Sequence, residues 1–197
     1  MSADTFEIVQ RLNPQALETQ ILLQCAPVIS GLKVANLLII PRESEEKART
    51  IVKGTHLSAV CLAHMDKKVT MLLYREQWLK DYLQEEEVRN LLSDTGCHEK
   101  GLYEILHYVK KKYAGFLEKK GEFPHELGLL LGYPAEDVKG YMDNKGRNAL
   151  CTGYWQVYAD PVSKKNLFRK FEQAKESLIR SVSGGRNICE VIQLAGG

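Results

Sequence analysis

Two hydrophobic periodicities alternate along the chain. Leu17, Ile21, Leu22 and Cys25 recur at the spacing of one helix face. Asn13-Pro14 ahead of them suits a helix start, because asparagine accepts from free amides and proline costs nothing at the first helical position. Pro27 and Ser30-Gly31 break this pattern before residues 34–40, a run rich in branched side chains that Pro41 halts and that predicts a buried strand. Residues 44–53 read as a charged surface helix closed by Gly54. The apolar runs 57–64 and 69–74 flank Met65-Asp66-Lys67-Lys68 and predict an antiparallel hairpin.

A helix is expected over residues 76–92 and another over 101–118, where Leu102, Ile105, Leu106, Val109, Tyr113, Phe116 and Leu117 form one apolar stripe. Residues 123–143 read as two short helices broken at Gly132-Tyr133-Pro134. Residues 151–158 alternate as a strand would, with Tyr154, Trp155 and Tyr158 expected to pack the core. Asp160-Pro161 caps a long last helix, and the tail 184–197 is expected to be a strand or unpaired. Together these elements predict an α+β or mixed α/β fold, with a small mixed sheet of about four strands, packed helices and a helix-turn-helix-like segment. One domain over 1–197 is expected, with 76–120 as a possible helical appendage.

The composition narrows the class of function without naming it. The 197 residues are 44% hydrophobic and 26% charged, ordinary for a globular protein that needs no disulfide or metal to hold its core. The longest apolar runs fall far short of the roughly 20 residues that cross a bilayer, so no membrane partner is expected. The acidic N-terminus lacks the features of a signal peptide, and a cytoplasmic location follows as the expectation. Cys25, Cys61, Cys97, Cys151 and Cys189 are scattered and never spaced as Cys-x-x-Cys, so neither a disulfide framework nor a zinc ribbon is expected and no metal site is assigned. Net charge is −2 over residues 1–100 and +4 thereafter, with the excess lysines at positions of solvated helix faces, which argues against a nucleic-acid partner. Neither Gly-x-Gly-x-x-Gly nor a phosphate-binding Lys-Ser/Thr loop occurs.

Three stretches carry a resemblance. Residues 23–37 hold Gln24-Cys-Ala-Pro27 and Gly31-Leu-Lys-Val-Ala-Asn-Leu37; residues 123–141 hold Phe123-Pro-His-Glu-Leu-Gly128 and Leu131-Gly-Tyr-Pro134; Asn144-Lys-Gly146 and Gly153-Tyr-Trp-Gln-Val-Tyr158 follow. Together they resemble the signature of a bacterial family of unknown function, common in anaerobic Gram-positive bacteria and covering nearly the whole chain. The resemblance implies an iron or redox setting, and it supplies no catalytic residues.

The residues themselves offer several chemistries. Cys25, His125 and Glu126 could form a catalytic thiol site of a transferase or hydrolase, since an imidazole beside a thiol lowers its pKa and a third group orients the ring. Cys25, His125, Glu126 and Cys151 are an alternative set of iron or haem ligands, although adjacent His and Glu on a helix point about 100° apart. Leu127, Gly128, Leu131, Gly132 and Val138 match a helix-turn-helix, but Glu136 and Asp137 at the start of its second helix would repel phosphate, which favours packing or partner contact. Lys33, Asn36, Tyr74, Arg75, Asn144 and Lys145, with Tyr133 and Asp137, supply cations, amides and hydroxyls at strand ends and loops that could hold a ligand. The leading expectation is a polar Cys/His/Glu pocket that binds or acts on a small anionic molecule. A helix-turn-helix-like regulatory or partner-binding module and an iron or haem protein are the alternatives. No cofactor and no oligomeric state is legible.

Overall fold

The branched runs of the first half pair as the hairpin pattern demands. In the computed structural model, which describes residues 2–97 and 100–195, β2 (Ser58–Met65) and β3 (Lys68–Tyr74) are antiparallel neighbours, and β1 (Ala35–Pro41) lies on the other side of β3. The central strand β3 is buried from Val69 to Tyr74, as a strand flanked on both edges and covered on both faces must be. Gln24 protects the free edge of β1. Its side chain accepts from Ile39 N at 2.8 Å and donates to Ile39 O at 3.1 Å, filling one step of the missing ladder.

The chain divides into two compact units, Met1–Glu76 with Lys170–Gly197, and Gln77–Arg169. The first contains this sheet together with α1 (Ala3–Arg11), α2 (Leu17–Ile29) and α3 (Glu45–Val52), which a short 3-10 turn at Arg42–Ser44 precedes. Ile21, Leu22, Val28, Leu38, Ile40, Met71 and Leu73 share its core with Leu178, Ile179, Val191 and Ile192 from the end of the chain. The second unit contains α4 (Glu76–Tyr82, from its second residue), α5 (Glu86–Asp94), α6 (Leu102–Leu117), α7 (Glu126–Leu130), α8 (Ala135–Asp143) and the two-residue strands β4 (Cys151–Thr152) and β5 (Gln156–Val157). The long helix α9 (Pro161–Ser183) contributes to both units, and α10 (Ile188–Leu194) closes the first. The fold is a mixed α+β arrangement with a three-stranded antiparallel sheet and a two-stranded one. No helix among the described residues is long and apolar enough to cross a membrane.

Several local expectations are corrected. Asn13 does not begin a helix: it sits at φ 60°, and its side chain accepts from Gln15 N in a turn, so α2 starts at Leu17. Pro27 lies inside α2 instead of ending it. The helix expected over 76–92 is two helices, and the strand expected over 151–158 is a hairpin that turns at Gly153–Trp155. The tail forms α10, opened by Asn187, whose side chain accepts from Cys189 N at 2.8 Å.

Candidate functional site

The first unit gathers five of the sequence-predicted residues around the C-terminal end of α2. A proline inside a helix has no amide to donate and disturbs the ladder around it. Here the Pro27 carbonyl takes Leu32 N and Lys33 N, while Val28 N turns to Asn36 Oδ1 at 3.1 Å. Arg75 closes the same end, donating Nε to Val28 O at 2.9 Å and Nη2 to Ile29 O at 2.8 Å, where a cation complements the helix dipole. Tyr74, the residue before Arg75, is buried in register opposite Ala35 and Ser58. Asn36 and Arg75 therefore hold the chain in place.

Cys25 and Lys33 lie in the same unit. Cys25 is 0% exposed with Sγ 3.6 Å from Leu37 O, and burial pushes its thiol well above the ordinary range, against the opposing charge of Lys33. A thiolate nucleophile is disfavoured there. Lys33 is 7% exposed, and burial pulls its ammonium down to about 7, an effect that Cys25 opposes.

The second unit holds His125, Glu126, Tyr133, Asp137, Asn144, Lys145 and Cys151. Most of these side chains fasten the unit to itself. Asp137 is buried and accepts from Trp155 Nε1 at 2.7 Å, Tyr158 N at 2.7 Å and Ala159 N at 3.0 Å, which ties α8 to the β4–β5 hairpin. Tyr133 stacks on Trp155 with ring centres 4.9 Å apart, and its carbonyl accepts from Tyr82 Oη. Asn144 Nδ2 donates to Gly140 O at 2.8 Å, Lys145 occupies an exposed turn at φ 51°, and Cys151 is half-buried on β4. The His125 ring packs between Phe123 and Tyr141, with centres 5.9 and 5.6 Å away. The helix-turn-helix-like pair is compact: a Cβ on Gly128 would come 3.1 Å from Val138, and Gly132 makes the turn at φ 67°. α7 has only 5 residues, and Glu136 at the start of α8 pairs with Lys164 at 2.9 Å, features that suit packing better than reading a groove.

Glu126 differs from its neighbours. It is 1% exposed; Oε1 takes Lys112 Nζ at 2.6 Å, whereas Oε2 is buried and has no hydrogen-bond partner among the described residues. Burial lowers Lys112, but the hydrogen bond and charge of Glu126 outweigh it and hold the ammonium above its ordinary range. The same carboxylate acts on Cys97. Burial raises that thiol and the Glu126 charge adds to the rise, against Lys100 and Lys112. Lys100 and Lys112 also lie over the Tyr108 ring at 4.6 and 5.3 Å, and Tyr108 Oη donates to Thr95 O at 2.7 Å.

Cys97, 2% exposed, lines a cavity of about 440 Å³ together with Arg89, Asn90, Ser93, Lys100 and Gly101. The size suits a small molecule. Two cations, Arg89 and Lys100, and two amides, Gln84 and Asn90, give it the polarity of an anion site, and no carboxylate is among its described lining residues; Ser93 Oγ already donates to Arg89 O, and Gly101 N to Glu104 Oε2. Among the sequence-predicted site residues, Glu126 bears on this cavity through its charge on Cys97. Arg89, Cys97, Lys100 and Lys112 were not singled out as a group, because their grouping depends on how α5 and α6 pack.

No curated protein and no solved structure matches the chain. A family model described as a protein of unknown function, DUF3793, matches residues 21–192, a span that includes the sheet of the first unit and all of the second, and the chain belongs to that family.

Proposed function

We propose that this is a cytoplasmic bacterial protein that binds a small anionic molecule in the cavity between α5 and α6. One observation carries the reading: a cavity of about 440 Å³ whose described lining includes Arg89 and Lys100, the amides of Gln84 and Asn90, and no carboxylate. Arginine supplies a planar fork for a carboxylate or phosphate, and the lysine adds a point charge. Cys97 would meet the ligand as a neutral thiol, since its burial and the Glu126 charge both keep the proton on sulfur. Binding is therefore favoured over nucleophilic catalysis at this site. Cys25 is left out of the reading because its own burial disfavours the thiolate.

The test is a thermal-shift panel of inorganic phosphate, pyrophosphate, malonate, succinate and citrate, followed by calorimetric titration of whichever anion stabilises the protein. Arg89→Ala and Lys100→Ala are each expected to weaken that anion by at least about tenfold, the loss of one charge-assisted hydrogen bond. A panel with no stabilising anion, or an affinity indifferent to both substitutions, refutes the reading.

A further inference from the structure

We propose that Glu45, Cys61 and His64 form a binding site for a zinc-class transition-metal ion. This site lies in the first unit and stands independently of the anion cavity in the second. Cys61 and His64 are three residues apart on β2, and in a regular strand an odd separation sends two side chains to opposite faces. β2 is not regular there. Cys61 faces Met71 while Ala63 already faces Thr70, so two steps on β2 answer one step on β3 and Leu62 is the extra residue of a bulge. The bulge reverses the alternation and brings His64 to the face of Cys61. Glu45, in the first turn of α3, meets them.

The resulting geometry is close to that of a metal site. His64 Nε2 is 3.7 Å from Cys61 Sγ and 2.7 Å from Glu45 Oε2, and one donor atom from each residue lies within 4.8 Å of the other two. Tetrahedral zinc with ordinary bond lengths sets sulfur and nitrogen about 3.5 Å apart, and nitrogen and oxygen about 3.3 Å apart. The first spacing is nearly in place. The second needs the His64–Glu45 hydrogen bond to open by about half an ångström to admit the ion, within reach of a histidine side chain that is 43% exposed.

The surroundings suit that role. Arg49 Nη2 holds Glu45 Oε1 at 2.7 Å and leaves Oε2 toward His64, the kind of outer contact that orients a metal-binding carboxylate. A thiolate and a carboxylate would neutralise a divalent ion. Thiolate with imidazole selects zinc, cobalt or copper over magnesium and calcium, which take oxygen. Three protein ligands leave a fourth position for water or an added ligand. Binding displaces the thiol proton of Cys61, so affinity should rise with pH.

Titrating the reduced full-length chain with Co²⁺ tests this. The expected result is a near-ultraviolet thiolate-to-cobalt band together with the visible bands of tetrahedral cobalt, saturating at one ion per chain and reversed by Zn²⁺. Cys61→Ser should abolish the thiolate band, and His64→Ala and Glu45→Gln should each weaken binding at least about tenfold. Cys61 is buried, so Cys61→Ser could disturb folding; His64 is exposed, and His64→Ala provides the decisive variant, with circular dichroism confirming its fold. The proposal is overturned if no thiolate band appears, or if folded His64→Ala binds Co²⁺ as the wild type does, which would place the ion on other cysteines.

Discussion

Lys33→Met should flatten the pH response of stability. Burial pulls the Lys33 ammonium from 10.5 to about 7 in the folded protein, while the unfolded chain keeps the ordinary value. Above pH 10.5 neither state holds the proton, and Lys33 costs nothing. Between the two values the unfolded state binds a proton that the folded state refuses, so stability must increase as pH rises through this window. Below about pH 7 both states are protonated, and the full cost, roughly 5 kcal/mol by the size of the shift, is present. From about pH 7 to about pH 9 the wild type should therefore gain roughly 2 kcal/mol from this group. In urea, with a slope of about 2 kcal/mol/M, that moves the unfolding midpoint by roughly 1 M. Methionine fills a similar volume without charge, so Lys33→Met should lose most of that movement and be the more stable protein at neutral pH. Other titrating groups act alike in both proteins, and the difference between their midpoints isolates Lys33. Equal midpoint movement in the two would refute the reasoning, because it would mean that Lys33 keeps its proton through the range.

Two further predictions concern the second unit. Asp137→Ala removes the acceptor of three hydrogen bonds and strands the buried Trp155 N–H, and should cost about 3 kcal/mol or more in urea unfolding; a loss below about 1 kcal/mol would show that water replaces the carboxylate. Gly153→Ala would place a methyl 2.3 Å from the Phe168 ring and should cost about 2 kcal/mol, whereas Gly115→Ala, in α6 with nothing within 4 Å, should add about 0.5–1 kcal/mol; calorimetric melting of the pair checks the opposite signs.

Elements whose pattern is local were legible in the sequence. The β2–β3 hairpin follows from two branched runs around a polar turn, α6 from its single apolar stripe, and the α7–α8 corner from Gly132 and Pro134. What failed depended on distant partners or on one displaced residue. The alternation from Cys151 to Tyr158 reads as one strand because nothing local shows that Gly153 lies under the Phe168 ring and turns the chain. The Leu62 bulge leaves no mark in the apolar run of β2, and so Cys61 and His64 could not be seen to share a face. Polar residues at the motif positions read as a ligand set because their true partners are far along the chain: Arg75 serves Val28 and Ile29, and Asp137 serves Trp155, Tyr158 and Ala159. Glu126 was legible as chemically significant, but its companions Lys112 and Cys97 were not.

The discontinuous make-up of the first unit sets an order on biogenesis. Gln77–Arg169 is one uninterrupted stretch, complete once residue 169 has left the ribosome. The first unit must wait, because Leu178, Ile179, Val191 and Ile192 belong to its core and follow Arg169 in the chain. During synthesis the sheet around β3 therefore stays incompletely covered while the later-made unit is already free to fold, the reverse of the usual N-terminal-first sequence. A chain cut before Val191 would accordingly lose core side chains of the unit that holds β1, β2 and β3 and keep all of Gln77–Arg169.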